Sequence, residues 1–498
     1  MTEMKISGFL MAVGWLALAE VGSAAGFGFE QIQARARDLA ARPYEPGSNV
    51  VSAALAEISY TQHRDIRFRP EHSPWRGELP FFLEFVHPGA AQRNVVFMHE
   101  IQDGVERSIP FSTSLFDYGT NPPPAGPIPG FAGFRLFYSP ENFGEVAAFV
   151  GASYFRMVGS KQNYGTSARG LALNTATAGP EEFPAFTDFW FVRPQRRDQE
   201  LTLFALLNST NAAGAYRFVV KPGLSTVARV DAVLFFRNPI ERPGLAPLTS
   251  MFLHDENNHL PFRDYRPEVH DSDLLLLNGK SGEWFCRPLA GVKTVQVDDL
   301  NTGPLAGFGL LQRDRDFEHY QDFVGKFQRR PSVWITPGDH WPAGHVELIQ
   351  LPSDIEFTDN VVALWRPDSI PAPGQPLSLS YQLEWAGREL SPRSLGQVRA
   401  LRIGRVPREN GQPWNVRLVV DFGGEAMARL SNKITVEAEV KIGEGATFVA
   451  DSVNRNEING TWRLVIEMSE AQKPVQIKAR LHRHDVSVSE TFLFRYEP

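Results

Sequence analysis

The chain has 498 residues, and its 50 basic and 57 acidic residues give a formal charge of -7. Because single β domains often run to about 200–250 residues, we expect two domains. The charges form no block of one sign, so no nucleic-acid partner is expected. The single cysteine, Cys286, excludes an intrachain disulfide, and stability must come from a large apolar core.

Residues 1–25 have the pattern of a secretory signal peptide. Lys5 supplies the positive charge, residues 9–19 are apolar, and Ser23-Ala24-Ala25 offers small residues for cleavage. The apolar run is too short to span a bilayer comfortably. We therefore expect Sec-type export to a bacterial periplasm and a mature protein that does not span the membrane. An uncleaved membrane anchor is the alternative.

The rest of the chain reads as mostly β structure. One helix is predicted over residues 29–42, with Ile32 and Ala36 on its apolar face and Pro43 at its end. Short β-type runs follow, separated by Gly, Pro and Asn: residues 81–86, 134–138, 189–192 and 232–236. The Pro-rich segment 121–130 is predicted to be a surface loop, since proline donates no ladder hydrogen bond.

The fold class predicted is all-β, with two sandwiches in series. A large N-terminal sandwich is expected over residues 26–386 and a polar linker over 387–395. A smaller C-terminal sandwich over 396–498 is indicated by alternating runs at 416–420, 434–440, 462–466 and 491–494 and by a hairpin turn at Asn459-Gly460.

Two aspartates are candidates for proton transfer. Asp271 lies in His270-Asp271-Ser272-Asp273, and Asp359 lies in Thr358-Asp359-Asn360. Glycoside hydrolysis needs one carboxyl that donates a proton and one carboxylate that accepts one. The competing interpretation is that both aspartates cap turns.

Aromatic and basic residues near these aspartates are candidates for sugar binding. An indole face stacks on a pyranose, and guanidinium groups bond hydroxyls. The candidates are Trp284, Trp334, Trp365, Arg287 and Arg313. Core positions for the tryptophans and a mutually paired, solvated turn for Arg313 and Arg315 are the alternatives.

No cofactor and no metal are predicted. The run His254-Asp255-Glu256 has the right residue types but lacks the His-x-x-x-His or Cys spacing of a zinc site. Phosphate-binding loops and Gly-x-Ser-x-Gly elbows are absent from the sequence as well.

Seven stretches of the chain resemble, in order, the periplasmic glucan biosynthesis proteins G and D (OpgG and OpgD, also called MdoG and MdoD). They are residues 151–156, 164–170, 181–184, 266–272, 282–284, 308–313 and 358–365. Tyr154, Arg156 and His270 fall within these stretches, and we expect them to contact substrate. The ordinary signal pattern, without paired arginines, is closer to the G type.

The resemblance implies an N-terminal galactose-mutarotase-like sandwich with a cleft and a C-terminal immunoglobulin-like domain. It implies an anomer-inverting glycoside hydrolase or transglycosylase that acts on β-1,2-glucan during synthesis of osmoregulated periplasmic glucans. On that pattern Asp359 is the general acid and Asp271 the general base. The alternative is a non-catalytic protein that binds glucan and guides it from a membrane glucan synthase, which would be its partner.

Overall fold

The computed structural model describes residues 26–45, 51–124, 126–140, 144–258, 263–408 and 414–498. It has 47% of residues in strands and 9% in helices, which confirms the predicted all-β class. The predicted signal peptide, residues 1–25, lies outside the described residues. Among the helices described, none is long and apolar enough to cross a membrane.

The helices and strands are numbered here in chain order. The helices are α1 Phe29–Ala40, α2 Ala53–Ala56, α3 Tyr60–Asp65, α4 Phe317–Tyr320 and α5 Glu425–Arg429. The first strands are β1 Arg67–Phe68, β2 Phe81–Val86, β3 Phe97–Gln102, β4 Val105–Ile109, β5 Phe116–Asp117, β6 Gly133–Tyr138, β7 Gly144–Val150, β8 Tyr154–Met157, β9 Ser167–Arg169, β10 Leu171–Leu173, β11 Ala185–Val192 and β12 Leu201–Asn208. The next are β13 Ala212–Lys221, β14 Thr226–Phe236, β15 Pro243–Ser250, β16 Phe252–His254, β17 Val269–His270, β18 Leu274–Gly279, β19 Trp284–Pro288, β20 Gln296–Leu300, β21 Leu305–Leu311, β22 Ser332–Pro337, β23 Gly344–Gln350, β24 Val361–Pro367 and β25 Pro376–Ala386. The last are β26 Gln397–Val406, β27 Asn415–Gly423, β28 Glu437–Ile442, β29 Phe448–Arg455, β30 Trp462–Ser469, β31 Val475–Arg483, β32 Val486–Ser487 and β33 Thr491–Tyr496.

Two large sheets dominate the molecule. A ten-stranded sheet has the order β2-β6-β7-β8-β9-β15-β24-β23-β20, with β10 also paired to β15. A fifteen-stranded sheet has the order β28-β31-β33-β19-β18-β21-β22-β25-β14-β13-β12-β11-β3-β4, with β32 paired to β31. Neighbouring strands are mostly antiparallel, as the many short connections predict.

The main core lies between these sheets. Phe134 of β6 meets Phe191 of β11 edge to face at 4.7 Å, and Phe149 of β7 meets Phe218 of β13 at 5.3 Å. These rings are buried, and each large aromatic side chain removes much apolar surface from water. The two sheets therefore form a sandwich held by interdigitating aromatic rings.

Helix α1 covers the outer face of the large sheet. Ile32 and Ala36 are fully buried there against residues of β12 to β14, as the apolar spacing predicted. The helix ends at Ala40, three residues before Pro43, which cannot continue it.

The C-terminal residues build a second core and also extend the large sheet. A four-stranded sheet, β26-β27-β30-β29, packs its apolar residues with those of β31 and β33. The hairpin around Asn459-Gly460 joins β29 and β30, with Arg455 opposite Trp462. The second half of the alternating run at 434–440 forms the start of β28, which begins at Glu437.

Strand β33 pairs in parallel with β19, Phe285 opposite Thr491, so one sheet runs through both parts of the chain. The predicted linker, residues 387–395, follows β25 directly and contains no strand. The predicted division into domains at this linker stays a prediction.

Candidate functional site

Asp271 follows β17, which pairs with β16 through Phe252 and His270. The backbone N–H of Asp271 donates to the carbonyl of Met251 at 2.8 Å, which holds the residue against the end of β15. Its carboxylate is 9% exposed and forms an ion pair with the guanidinium of Arg330. A buried carboxylate needs such a partner because removing a charge from water is costly.

Asp359 precedes β24 and is held by its neighbour Asn360. The Asn360 side chain accepts a hydrogen bond from the Phe252 N–H and donates to the carbonyls of Phe252 and Leu351, at 2.8 to 3.0 Å. These bonds fix Asn360 to Phe252 in β16 and to Leu351 directly after β23. The Asp359 carboxylate is 28% exposed, and the Arg156 guanidinium lies 3.8 Å from it.

Ser250, the last residue of β15, connects the two aspartates. Its carbonyl accepts the N–H of Asn360 at 3.0 Å, and its hydroxyl lies 2.7 Å from the hydroxyl of Ser272. Ser250 therefore contacts the residue that follows each aspartate. The structure thus ties the two segments that carry Asp271 and Asp359, which are distant in the chain, to the same end of β15.

Arg330 is paired with Asp271 and is also influenced by the charge of Asp359. Burial lowers the pKa of Arg330 to about 10, and the nearby charges of Arg156 and Arg266 act in the same direction, whereas Glu356 and Asp359 oppose them. Its guanidinium stacks over Phe327 at 3.9 Å. Gly165 leaves room for the arginine, since a Cβ there would come within 2.9 Å of the Arg330 Cβ. We call Asp271, Asp359, Arg156 and Arg330 the aspartate site.

Two exposed aromatic residues directly follow carboxylates that Arg266 binds. Arg266 binds Asp322 at 3.0 Å and Glu356 at 2.6 Å with one nitrogen, so the loops that carry these carboxylates lie side by side. Phe323, which directly follows Asp322, is 80% exposed, and Phe357, which directly follows Glu356, is 90% exposed. Exposed aromatic rings this close to a polar site offer flat apolar faces to a ligand.

A polar row crosses the ten-stranded sheet from the aspartate site. In β8, Tyr154 and Arg156 face the same side, because side chains alternate along a strand. The Arg169 guanidinium stacks on the Tyr154 ring at 4.7 Å and binds Glu181 at 2.7 Å. Burial raises the pKa of Tyr154, and the charges of Asp359 and Glu181 add to this effect. Tyr154 is therefore close enough to both carboxylates to be influenced by their charges.

Three residues of types that can bind a metal ion lie together outside the aspartate site. The ligand atoms of Glu268, Asp314 and His319 lie within 4.8 Å of one another. His319 pairs with Asp314, and Glu268 bonds His270 at 3.0 Å. The protein thus already supplies partners for these groups.

Comparison with known proteins assigns the chain to a family. Residues 27–496 match the model described as "Periplasmic glucan biosynthesis protein, MdoG". The chain belongs to this MdoG family. It is similar to "Glucans biosynthesis protein G" of Ralstonia nicotianae, with 41% identity over 98% of this chain and 99% of that protein. It is also similar to "Glucans biosynthesis protein D 1" of the same organism, with 38% identity over 98% and 97%.

Membership in the MdoG family confirms the predicted resemblance, and the higher identity to the G protein agrees with the predicted type. It gives the protein a role in the biosynthesis of periplasmic glucans.

The three predicted tryptophans pack in or against the cores. Trp284 and Trp334 stack on each other at 5.7 Å beside the second core. Trp365 is 3% exposed and donates to the carbonyl of Pro342. Their predicted role in binding sugar stays a prediction, and the structure gives it no exposed indole face at the aspartates.

Three further predicted residues are also buried. Arg287 binds Asp298 of β20 at 2.9 Å, and Arg313 binds Glu490, which directly precedes β33, at 2.9 Å. His270 is 1% exposed and bonds Glu268 and Gln312. Their predicted contacts with substrate stay predictions, since each side chain is already paired within the protein.

Several residues of the site escaped sequence reasoning. They are Arg330, Arg266, Arg169, Glu181, Phe323 and Phe357. Arg266, Arg169 and Glu181 lie in stretches that carry the family resemblance, which was the available signal. Arg330 and the two phenylalanines lie in loops, where no periodic pattern marks a residue for function.

Proposed function

We propose that the protein is an anomer-inverting enzyme acting on β-1,2-linked glucan, either as a glycoside hydrolase or as a transglycosylase. The observation that carries this proposal is that Ser250 bonds the residue after each aspartate and that each aspartate is paired with an arginine. An inverting mechanism needs two carboxyl groups on opposite sides of the scissile bond, with space between them for a nucleophile.

In the proposed reaction Asp359 is the general acid and Asp271 the general base. Water or a sugar hydroxyl attacks the anomeric carbon while the glycosidic C–O bond breaks. Asp359 gives its proton to the leaving oxygen, and Asp271 takes the proton of the nucleophile. Because the Asp271 side chain is only 9% exposed, an intervening water or sugar hydroxyl passes the proton to it.

The surrounding cations have electrostatic roles. Arg330 is the cation that compensates the buried charge of Asp271. Arg156 lies 3.8 Å from Asp359 and is 46% exposed, so its guanidinium is available to sugar hydroxyls as well. The exposed rings of Phe323 and Phe357 offer platforms for the sugar chain.

The decisive experiment incubates the purified protein and its Asp359→Asn variant with linear β-1,2-glucan. We expect new reducing ends or rearranged products with the unchanged protein and none with the variant, at equal melting temperature. Mass spectrometry separates the reactions, because hydrolysis adds one water per cleavage and transfer conserves mass. Binding of glucan without bond cleavage at high protein concentration would instead support the guiding role beside a membrane synthase.

We also propose that residues 1–25 are removed on Sec-type export to the periplasm. The support is the charge, the short apolar run and the small residues in the sequence. Mass spectrometry of the protein from the periplasmic fraction tests this, and an intact N-terminus would contradict it.

A further inference from the structure

A cavity of about 640 Å³ opens at the far end of β15 from the aspartate site. It lies between the loop from Asn174 to Glu182 and residues 210–211 and 241–242, and we call it the distal cavity. Its volume falls within the range of about 300–1,000 Å³ that is usual for ligand sites.

Strand β15 relates the distal cavity to the aspartate site. Ser250, at the end of the strand, contacts the residues next to both aspartates, whereas Arg242, just before its start, lines the cavity. A strand of this length spans about 25 Å at about 3.3 Å per residue. A ligand that reaches both places must therefore be an extended chain.

The polar row described above joins the two places. Tyr154 and Arg169 are paired on neighbouring strands. Arg169 binds Glu181, and Glu181 is one of the residues that line the distal cavity. The ring of Phe183, which is 50% exposed, lies with its centroid 5.4 Å from the Arg169 guanidinium. Stacking faces and hydrogen-bonding groups thus alternate along this row.

The wall of the distal cavity suits a neutral, hydroxyl-rich ligand. Amide, hydroxyl and carboxylate groups line it, supplied by Asn174, Thr177, Glu182 and Asn211. Glu181, Glu182 and Glu241 outnumber Arg242 there, which disfavours an anion.

We propose that the distal cavity binds glucose units of the glucan chain remote from the bond that reacts. This inference rests on the proposed function, because the proposed reaction at the aspartates sets where the glucan begins. From there the glucan runs over Tyr154 and Arg169. Its consequence is a preference for long chains, because only these reach from one end of β15 to the other.

The test introduces a large side chain at the solvent-exposed edge of the distal cavity. Ala178 is exposed and lines the cavity, so Ala178→Trp occupies the space without removing an existing bond. The control is Ala372→Trp, at an exposed turn that does not line it. Linear β-1,2-linked glucose oligomers of graded length, from the trisaccharide upward, are the probes.

We expect Ala178→Trp to raise KM roughly tenfold for the longest oligomers and to leave the shortest cleaved oligomer unchanged, as loss of one sugar contact of about 1.4 kcal/mol implies. Equal KM for both variants at every length would overturn the inference. If Ala178→Trp lowers the melting temperature, the smaller Ala178→Met variant is measured in the same way.

Calorimetric binding of the same oligomers separates this inference from the proposed function. Weaker binding of long oligomers to Ala178→Trp than to Ala372→Trp supports the distal cavity even if the protein cleaves nothing. Equal binding by both variants overturns it, whether or not cleavage occurs.

Discussion

The carbonyl oxygen of Ser250 accepts the backbone N–H of Asn360 across 3.0 Å. Through this bond the loop that carries Asp359 is attached to the strand whose next residue, Met251, holds the backbone of Asp271. The separation of the two carboxyl groups therefore depends on a few hydrogen bonds at one strand end.

Asn360→Ala should reduce both stability and activity. The substitution leaves the Phe252 N–H and two carbonyls without their partner in a buried place, which costs about 2–4 kcal/mol. We expect a lower melting temperature and a lower kcat on β-1,2-glucan, since the loop with Asp359 loses its anchor. Asn301→Ala, at an exposed position, is the control and should change neither quantity.

Arg330→Gln should be strongly destabilising by itself. It leaves the Asp271 carboxylate buried without its cation, a change that costs about 3–5 kcal/mol. Adding Asp271→Asn should restore most of the lost stability while leaving the protein inactive. Chemical denaturation of the two single variants and the double variant measures this coupling, and additive losses would show that the two side chains do not depend on each other.

Phe357→Ala should weaken substrate binding more than it lowers kcat. The ring is 90% exposed and buries nothing in the free protein, so the fold should be unaffected. Loss of one stacking face predicts a rise in KM of roughly 3- to 10-fold. Phe448→Ala on β29, an exposed phenylalanine of the C-terminal sheet, is the matched control. Unchanged KM in Phe357→Ala would remove this ring from the substrate path.

The buried His270 predicts a pH dependence of stability. Burial alone would lower the pKa of His270, but the bond to Glu268 and the charge of Asp273 raise it to about 9, above its usual 6.5. His270 in the folded protein therefore keeps its proton at pH values at which the unfolded chain has already lost it. This stabilisation is complete below about pH 6.5 and is lost as the pH rises through 9, with an upper limit of about 3 kcal/mol.

Melting temperatures of the unchanged protein and of His270→Gln measure this effect. The advantage of the unchanged protein over the variant should shrink between pH 6.5 and 9. His72→Gln, at an exposed position, should show a constant difference. A constant difference for His270→Gln as well would contradict a protonated His270 in the folded state.

The sequence predicts local structure here better than it predicts the site. The run at residues 81–86 forms β2 with the predicted bounds, because alternation and flanking turns are local properties. Trp365 shows the opposite case. All residues of β24 are buried, and nothing in the sequence distinguishes a tryptophan packed between sheets from one that faces a ligand.

The partners of the two aspartates depend on long-range register. Arg330 reaches Asp271 only because β15, β17 and β24 meet at one end, and no spacing in the sequence encodes that meeting. The family resemblance supplied the pair Asp271 and Asp359. It also included Arg156 but did not supply Arg330, whose role follows from its contact with Asp271 across the fold.

The parallel pairing of β19 with β33 has a consequence for biogenesis. While the polypeptide is being made, β19 is synthesised long before β33. The backbone N–H and C=O groups of β19 that later bond β33 therefore remain unpaired during this time. An open strand edge of this kind is a template for intermolecular association. Nascent or prematurely terminated chains that lack β33 would therefore be prone to aggregate, and a holdase chaperone that shields this edge would raise the yield of native protein.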